Sequence, residues 1–194
     1  MRHTSFDIIQ QEHASLSAML HSLRLMLERG PGKNAAQYFE VMRAMLFYID
    51  EYPEKLHHPK ESELLFPGVA RAAPELAAVI ERLERDHEHS EKGVRELQHL
   101  LTAWEMLGDS RQQAFLQRCR SYIDAYLDHM HVEETEILPR ALDALSNEEW
   151  LRMDNAFDAN RDPMTRIHPP DPSFERLYTL IVSKAPAPIG VGES

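Results

Sequence analysis

The stretch HHPKESELLFP, residues 57–67, has a gap-free counterpart in HMHVEETEILP, residues 129–139. The alignment pairs His57 with His129, and in both halves a glutamate follows the histidine by four positions and a proline ends the stretch. Residues four apart lie on the same face of a helix, with their Cβ atoms about 5–6 Å apart. Each stretch therefore predicts a helix that presents one imidazole and one carboxylate side by side.

A second pair of segments extends the repeat. QQEHASL, residues 10–16, aligns with ERDHEHS, residues 84–90, and pairs His13 with His87. Each of these segments precedes one of the His-x-x-x-Glu stretches. The chain therefore repeats a unit in which a helix with one histidine is followed by a helix with His-x-x-x-Glu.

Four long segments carry apolar residues every three or four positions, which is typical of amphipathic helices. The apolar positions are Phe6, Ile9, Leu16, Leu20, Leu23 and Leu27 in the first segment, Phe39, Met42, Leu46 and Ile49 in the second, Leu76, Ile80, Leu83, Val94, Leu97, Leu101 and Trp104 in the third, and Phe115, Cys119, Tyr122, Tyr126 and Ile137 in the fourth. The connections between them are short. The sequence therefore predicts an all-α fold, an antiparallel up-down-up-down four-helix bundle, over residues 1–145.

Prolines interrupt the second helix of the predicted bundle. Pro53 and Pro59 lie within it and remove backbone donors, so we expect a kink or an irregular turn there. The second half of the repeat has no proline at either position, and it is expected to be the more regular one.

Residues 146–194 are predicted to form a short C-terminal helical extension and tail packed on the bundle. Ser146 and Glu149 have the spacing of a capping box that opens a helix through Phe157. A proline-rich loop at residues 162–173 leads to a last helix at 174–184.

Charge and cysteine content limit the classes of partner. The 194 residues include 32 acidic and 21 basic side chains, and the net charge of −11 disfavours binding to nucleic acid or to anionic membrane surfaces. No apolar run is long enough for a membrane span or resembles a signal peptide. The single cysteine, Cys119, cannot form an internal disulfide, so a cytoplasmic location is expected.

The four repeated histidines and two repeated glutamates fall on the apolar faces of the helices. They are His13, His57, His87 and His129, with Glu61 and Glu133. One histidine on an apolar face is usually an ordinary core residue, but six polar groups converging in a bundle would be costly without compensation. A structural zinc site is satisfied by four ligands, whereas six mixed nitrogen and oxygen donors suit two redox-active ions that share carboxylate bridges. Two irons are expected, and zinc or manganese are disfavoured.

Neighbouring side chains have weaker claims to a metal-binding role. His89 follows His87 by two residues, and His131 follows His129 by two. Both should therefore face away from the core. His58 is turned by about 100° from His57, close enough to support a ligand or to be an alternative one. Tyr122 and Tyr126 lie on the apolar face of the fourth helical segment. For these side chains core packing is favoured over a hydrogen bond to a metal ligand or a bridging oxygen.

With these motifs the chain resembles the bacterial hemerythrin-like proteins, the hemerythrin HHE cation-binding domain family. The resemblance rests on QQEH, HHPKE, ERDH and HMHVEE and spans residues 6–142. It implies a four-helix bundle with two iron ions, bridged by carboxylates and an oxo or hydroxo group, that binds dioxygen at an open position. By resemblance the terminal ligands are His13, His57, His87 and His129, and the bridging ligands are Glu61 and Glu133.

The chain departs from the oxygen-carrying hemerythrins at one ligand position. Those proteins have a fifth histidine four residues after the one on the third helix, and Glu91 occupies that position here. Three alternatives stay open: Glu91 coordinates a metal, His89 or His58 takes over, or one iron keeps an additional open position.

The expected function is a non-haem di-iron protein that binds dioxygen, or a related small ligand such as nitric oxide or peroxide, for sensing, storage or delivery. The alternatives are a di-iron enzyme acting on peroxide, nitric oxide or ferrous iron, and a metal-storage or structural bundle. The pattern favours a binding protein over an enzyme and identifies no catalytic residue. A sensing output would need an unidentified protein partner, and a homo-oligomer is compatible with the sequence.

Overall fold

The computed structural model of the chain describes residues 3–165 and 172–192. Within these ranges the secondary structure is helical and no strand occurs, so the all-α prediction is confirmed. Residues 166–171 of the predicted proline-rich loop and the last two residues of the tail lie outside the described part.

Six helices account for the described chain. They are α1 (Thr4–Arg29), α2 (35–72), α3 (Ala77–Leu107), α4 (112–144), α5 (Asn147–Asp158) and α6 (Glu175–Lys184). Gly30 and Gly108 end α1 and α3 with φ angles of 65° and 88°, a left-handed conformation that glycine adopts without steric cost. The chain can therefore reverse direction in a few residues after each of these helices.

Two helices of the bundle contain π-helical segments, in which the backbone bonds span five residues instead of four. Helix α2 consists of Ala35–Ile49, π-helical Asp50–His57, His58–Lys60, π-helical Glu61–Leu65 and Phe66–Ala72. Helix α4 consists of Gln112–Val132, π-helical Glu133–Ile137 and Leu138–Ala144.

Proline explains where the π-helical segments lie. A proline has no N–H and its ring clashes with the carbonyl four residues earlier, which disrupts the α-helical bonding of the preceding turn. Pro53 falls inside the first segment, and Pro67 and Pro139 each follow a segment by two residues. The irregular turn expected in α2 is present, and α4 is the more regular helix although it contains a similar π-helical turn before its last α-helical segment.

Side-chain pairs between neighbouring helices show how the bundle is ordered. In each pair of helices the residue numbers rise along one helix as they fall along the other. The pairs are His13–Glu134 and Arg24–Asp124 between α1 and α4, Arg43–Glu105 and Asp50–Arg95 between α2 and α3, and Arg82–Asp128 and Glu96–Arg118 between α3 and α4. These pairs support the predicted up-and-down order of the helices.

The buried apolar side chains form two clusters, one on each side of a polar layer. Leu16, Val94 and Tyr126 belong to the first cluster, and Ile9 and Leu83 belong to the second. Along α1 the buried polar residues between the clusters are Glu12 and His13, and along α3 the buried polar residue is His87. The layer therefore crosses the middle of the bundle with hydrophobic packing above and below it.

The C-terminal residues contribute to both clusters. Trp150, Met153 and Phe157 on α5 join the second cluster, and Ile181 on α6 joins the first. The predicted capping box of α5 is present, with Ser146 and Glu149 bonding each other's backbone. The division of the chain after residue 145 stays a prediction. None of the described helices combines the length and the apolar composition needed to cross a membrane.

Removing the anchor of α5 should destabilise the protein. Trp150 is 1% exposed, and its truncation to alanine should lower the free energy of unfolding by about 3–5 kcal/mol because a large cavity is left. Leu151 is the matched control, since it is 60% exposed on the same helix and should change stability by less than about 0.5 kcal/mol on truncation. Urea unfolding of the metal-free variants measures both values, and equal losses would contradict the packing of α5.

Candidate metal centre

The polar layer contains five histidines and two glutamates, each at most 8% exposed. They are His13, His57, His58, His87, His129, Glu61 and Glu133. All four helices of the bundle contribute, α1 and α3 with one residue each and α2 and α4 with the rest. The structure thus brings together all six residues predicted from the repeat, and it adds His58.

Four of these side chains form a first cluster, here called group A: His13, His57, Glu61 and Glu133. One donor atom from each lies within 4.8 Å of the others. The Nε2 atoms of His13 and His57 are 3.1 Å apart. Glu61 Oε1 is 2.9 Å from His57 Nε2, and Glu133 Oε2 is 3.3 Å from His13 Nε2.

A second cluster, here called group B, contains His58, Glu61, His87 and His129, again with donor atoms within 4.8 Å. The Nε2 atoms of His87 and His129 are 3.2 Å apart. Glu61 Oε2 is 3.5 Å from His87 Nε2. Glu133 Oε1 is 3.3 Å from His129 Nε2, so this carboxylate also reaches group B.

Both carboxylates therefore lie between the two groups. Glu61 turns Oε1 towards group A and Oε2 towards group B, whereas Glu133 turns Oε2 towards group A and Oε1 towards group B. A carboxylate with one oxygen towards each of two donor clusters is arranged as a bridging ligand.

The contacts among the donor atoms fit a metal better than a hydrogen-bonded network. All four oxygens of Glu61 and Glu133 are buried without a hydrogen-bond partner among the described residues, which is costly for carboxylates. Metal–nitrogen bonds of about 2.1 Å at right angles place two donor atoms about 3.0 Å apart. The ring nitrogens that face each other in both groups have nearly this spacing.

An outer layer of polar side chains fixes the rings. A carboxylate or hydroxyl oxygen lies beside the Nδ1 atom of each of four rings. In His13, His57 and His87 this leaves Nε2 directed to the centre, whereas His58 Nε2 also contacts the hydroxyl of Tyr126. The contacts are Glu134 Oε1 with His13 at 3.1 Å, Glu12 Oε2 with His57 at 2.6 Å, Glu54 Oε2 with His58 at 3.0 Å and Ser62 Oγ with His87 at 3.0 Å. Metal-binding histidines usually donate their other N–H in this way.

The carboxylates determine the charge of the metal-free layer. Burial alone would lower the pKa of His57, but Glu61 and Glu12 outweigh it and raise that pKa well above its usual value. Burial likewise opposes protonation of His129, yet Glu133 and Asp86 raise its pKa to about 10. Both rings are therefore protonated near neutral pH when no metal is bound.

His58 behaves in the opposite way. Burial lowers its pKa well below the usual value, and the adjacent rings of His87 and His129 lower it further. This ring is therefore neutral, the form that binds a metal.

The structure places differently the three residues considered for the position of the missing fifth histidine. Glu91 is about half exposed, pairs with Arg95 at 2.8 Å and belongs to neither group. His89 is exposed at the surface, as expected. His58 alone of the three lies in a donor group. The expected turn of about 100° away from His57 does not keep it out of the layer, because His57 faces group A and His58 faces group B.

Tyr122 and Tyr126 pack in the core, and their hydroxyls contact polar groups beside the layer. Both rings pack in the first apolar cluster, and the hydroxyl of Tyr126 lies 2.8 Å from His58 Nε2. The hydroxyl of Tyr122 donates to Glu54 at 3.1 Å. With His58 and His129 the two tyrosines line a cavity of about 80 Å³ between α3 and α4.

The outer residues were missed in the sequence. Glu54 precedes His58 by four positions on α2, which is a spacing that sequence inspection could have used. Glu12 is adjacent to His13 in the sequence but supports His57 on another helix, so only the tertiary structure reveals it.

A comparison with known families gives a match to the hemerythrin HHE cation-binding domain over residues 4–141. The matched region begins at the first residue of α1 and ends within the last turns of α4. No curated protein matches the chain at a significant level.

Metal binding should strengthen as the pH rises from about 6.5 to 8. The pKa values of His57 and His129 in the folded, metal-free protein lie above the unfolded value of about 6.5, so protonation of these rings stabilises the metal-free fold. This stabilisation is complete below about pH 6.5 and is lost as the pH rises through the folded pKa, which is about 10 for His129. A metal must displace these protons, so anaerobic titration with ferrous iron at pH 7 should release protons to the buffer. Calorimetry in buffers of different ionisation enthalpy measures the release, and an affinity independent of pH would contradict the assigned charges.

Proposed function

The chain belongs to the hemerythrin HHE cation-binding domain family, and from that premise we propose that its polar layer holds two iron ions, one in group A and one in group B. Membership of this family implies metal binding, typically of iron. One observation supports two ions instead of one. The oxygens of Glu61 and Glu133 are divided between two separate histidine clusters and have no other partner.

In this proposal His58 supplies the fifth histidine. Group A then has two histidines and group B three, with both carboxylates shared between them. The ion in group A would have fewer protein donors than the ion in group B. Five imidazoles exceed the usual four-ligand set of structural zinc, and manganese prefers oxygen-rich sites.

We propose that the centre binds dioxygen or a related small ligand, nitric oxide or peroxide, for sensing, storage or delivery. The family binds small ligands such as dioxygen. Iron, when bound, supplies the redox-active position at which such a ligand is held. The residues of the chain orient the rings and leave a cavity of about 80 Å³ beside His58 and His129, which has room for a small ligand.

One observation favours an enzyme acting on peroxide or nitric oxide as the second candidate. The hydroxyl of Tyr126 lies 2.8 Å from His58 Nε2 and lines the same cavity. A phenol beside a metal ligand can donate a proton to a reacting molecule, which a reversible carrier does not require. The cytoplasmic location and any protein partner stay predictions from the sequence.

The stoichiometry of iron tests the two-ion proposal. Protein loaded with iron should hold two ions per chain, and the double variant His58→Ala/His129→Ala should lose about half of them because group B then keeps only one histidine. His131→Ala is the matched control, since its imidazole is exposed on α4 and should leave the iron content unchanged. One zinc ion and no iron in the wild-type protein would support the structural alternative and refute the proposal.

Spectra of the reduced, iron-loaded protein separate the carrier from the enzyme. A carrier should develop a charge-transfer band in air, and the band should disappear on degassing over repeated cycles. Irreversible oxidation, or steady consumption of added peroxide or nitric oxide, would contradict the carrier function and support the enzyme. Tyr126→Phe should then slow that turnover while the iron content stays at the wild-type value.

A further inference from the structure

The segment at residues 159–165, here called the strap, follows α5 and lies against group A. It falls outside the region matched by the family, residues 4–141. Two of its polar side chains are turned into the protein, since Asn160 and Asp162 are each 5% exposed. Arg161 between them is exposed and has a φ of 50°, a conformation that residues other than glycine seldom adopt. The strap therefore keeps an unfavourable backbone conformation while it buries two polar groups.

Asn160 is bonded to the outer layer of the metal centre. Its Nδ2 donates to both oxygens of Glu12, at 2.9 and 3.1 Å. Its Oδ1 accepts a hydrogen bond from Lys60, the residue next to Glu61 on α2. Glu12 is itself 7% exposed and accepts from His57 Nδ1 at 2.6 Å. A continuous series of hydrogen bonds thus runs from the strap to a ring of group A.

Asp162 anchors the strap beyond Asn160. It accepts from the hydroxyl of Tyr48 at 2.7 Å and from the backbone N–H of Met164 at 2.8 Å. Tyr48 is fully buried in α2, so the course of the strap is fixed on both sides of Arg161. Asn160 and Asp162 together with His13 and His57 line a cavity of about 10 Å³, enough for about one water molecule.

We infer that Asn160 is a positioning residue of group A, which acts through Glu12 on the ring of His57. The inference rests on the proposed metal site. The amide holds both carboxylate oxygens of Glu12 at once, so the carboxylate cannot rotate away from His57 Nδ1. The ring is thereby kept with Nε2 towards Glu61, 2.9 Å away. The C-terminal extension is a part of the metal centre in addition to packing on the bundle.

The effect of Asn160 is confined to one of the two groups. The rings of group B have other partners, Glu54 for His58, Ser62 for His87 and, at 3.7 Å, Asp86 for His129. None of these partners belongs to the strap. Removal of the Asn160 amide should therefore weaken the hold on one ion and leave the other unchanged.

Release of iron to a chelator tests this inference. In Asn160→Ala about half of the iron should leave about tenfold faster than in the wild-type protein, in line with the usual effect of losing an outer partner of a metal ligand, and the other half should leave at the wild-type rate. Asn155→Ala is the matched control, since that asparagine is exposed on α5. Wild-type rates for both ions, or equal acceleration of both, would overturn the inference.

A double-mutant cycle separates positioning from a general loosening of the strap. If Asn160 acts through Glu12, adding Asn160→Ala to Glu12→Ala should not accelerate release further, because the link is already broken. Additive effects would show that the asparagine acts independently of Glu12 and would refute the inference.

A measurement on the metal-free protein distinguishes failure of this inference from failure of the proposed function. The His57 Nδ1 proton should be protected from exchange with solvent in the wild-type protein, and NMR should show faster exchange in Asn160→Ala. Wild-type protein that binds no iron but shows this difference would refute the metal proposal alone. Equal exchange in the two proteins would refute the positioning role of Asn160.

Discussion

The structure depends on positive charge that compensates two carboxylates buried between two apolar clusters. Glu61 and Glu133 are at most 1% exposed, and none of their oxygens has a hydrogen-bond partner in the described chain. A buried charge without compensation is strongly destabilising, so the arrangement requires cations at this position. In the metal-free protein protonated imidazoles supply part of the positive charge. Two metal ions would supply it more completely, because each carboxylate oxygen would then have a direct partner.

The backbone of α2 is adapted to this requirement. In a regular helix two consecutive residues differ by about 100° in direction and would not both face the centre. His57 and His58 nevertheless both enter the polar layer at the end of the π-helical segment Asp50–His57, because each ring faces a different donor group. The prolines that disfavour a regular helix here thus coincide with the place where two consecutive imidazoles enter the layer. The layer therefore contains five histidines although position 91 is a glutamate.

The repeat was sufficient to predict the all-α fold and to place six buried residues, since helical periodicity fixes the direction of a side chain within a regular helix. The same reasoning gave His58 a supporting or alternative role, and its role as a ligand stays a proposal although its ring is buried in the layer. Glu12 and Asn160 could not be found, since they act across helices that are distant in the sequence. The residues that hold the proposed ligands in place are therefore harder to predict from the sequence than the ligands themselves.

Iron-anomalous diffraction from crystals of the loaded protein tests the central claim most directly. The account predicts two peaks, one between the rings of His13 and His57 and the other among those of His58, His87 and His129. Each bridging carboxylate should place one oxygen beside each peak. A single peak, or two peaks that leave Glu61 and Glu133 on the same ion, would contradict the account.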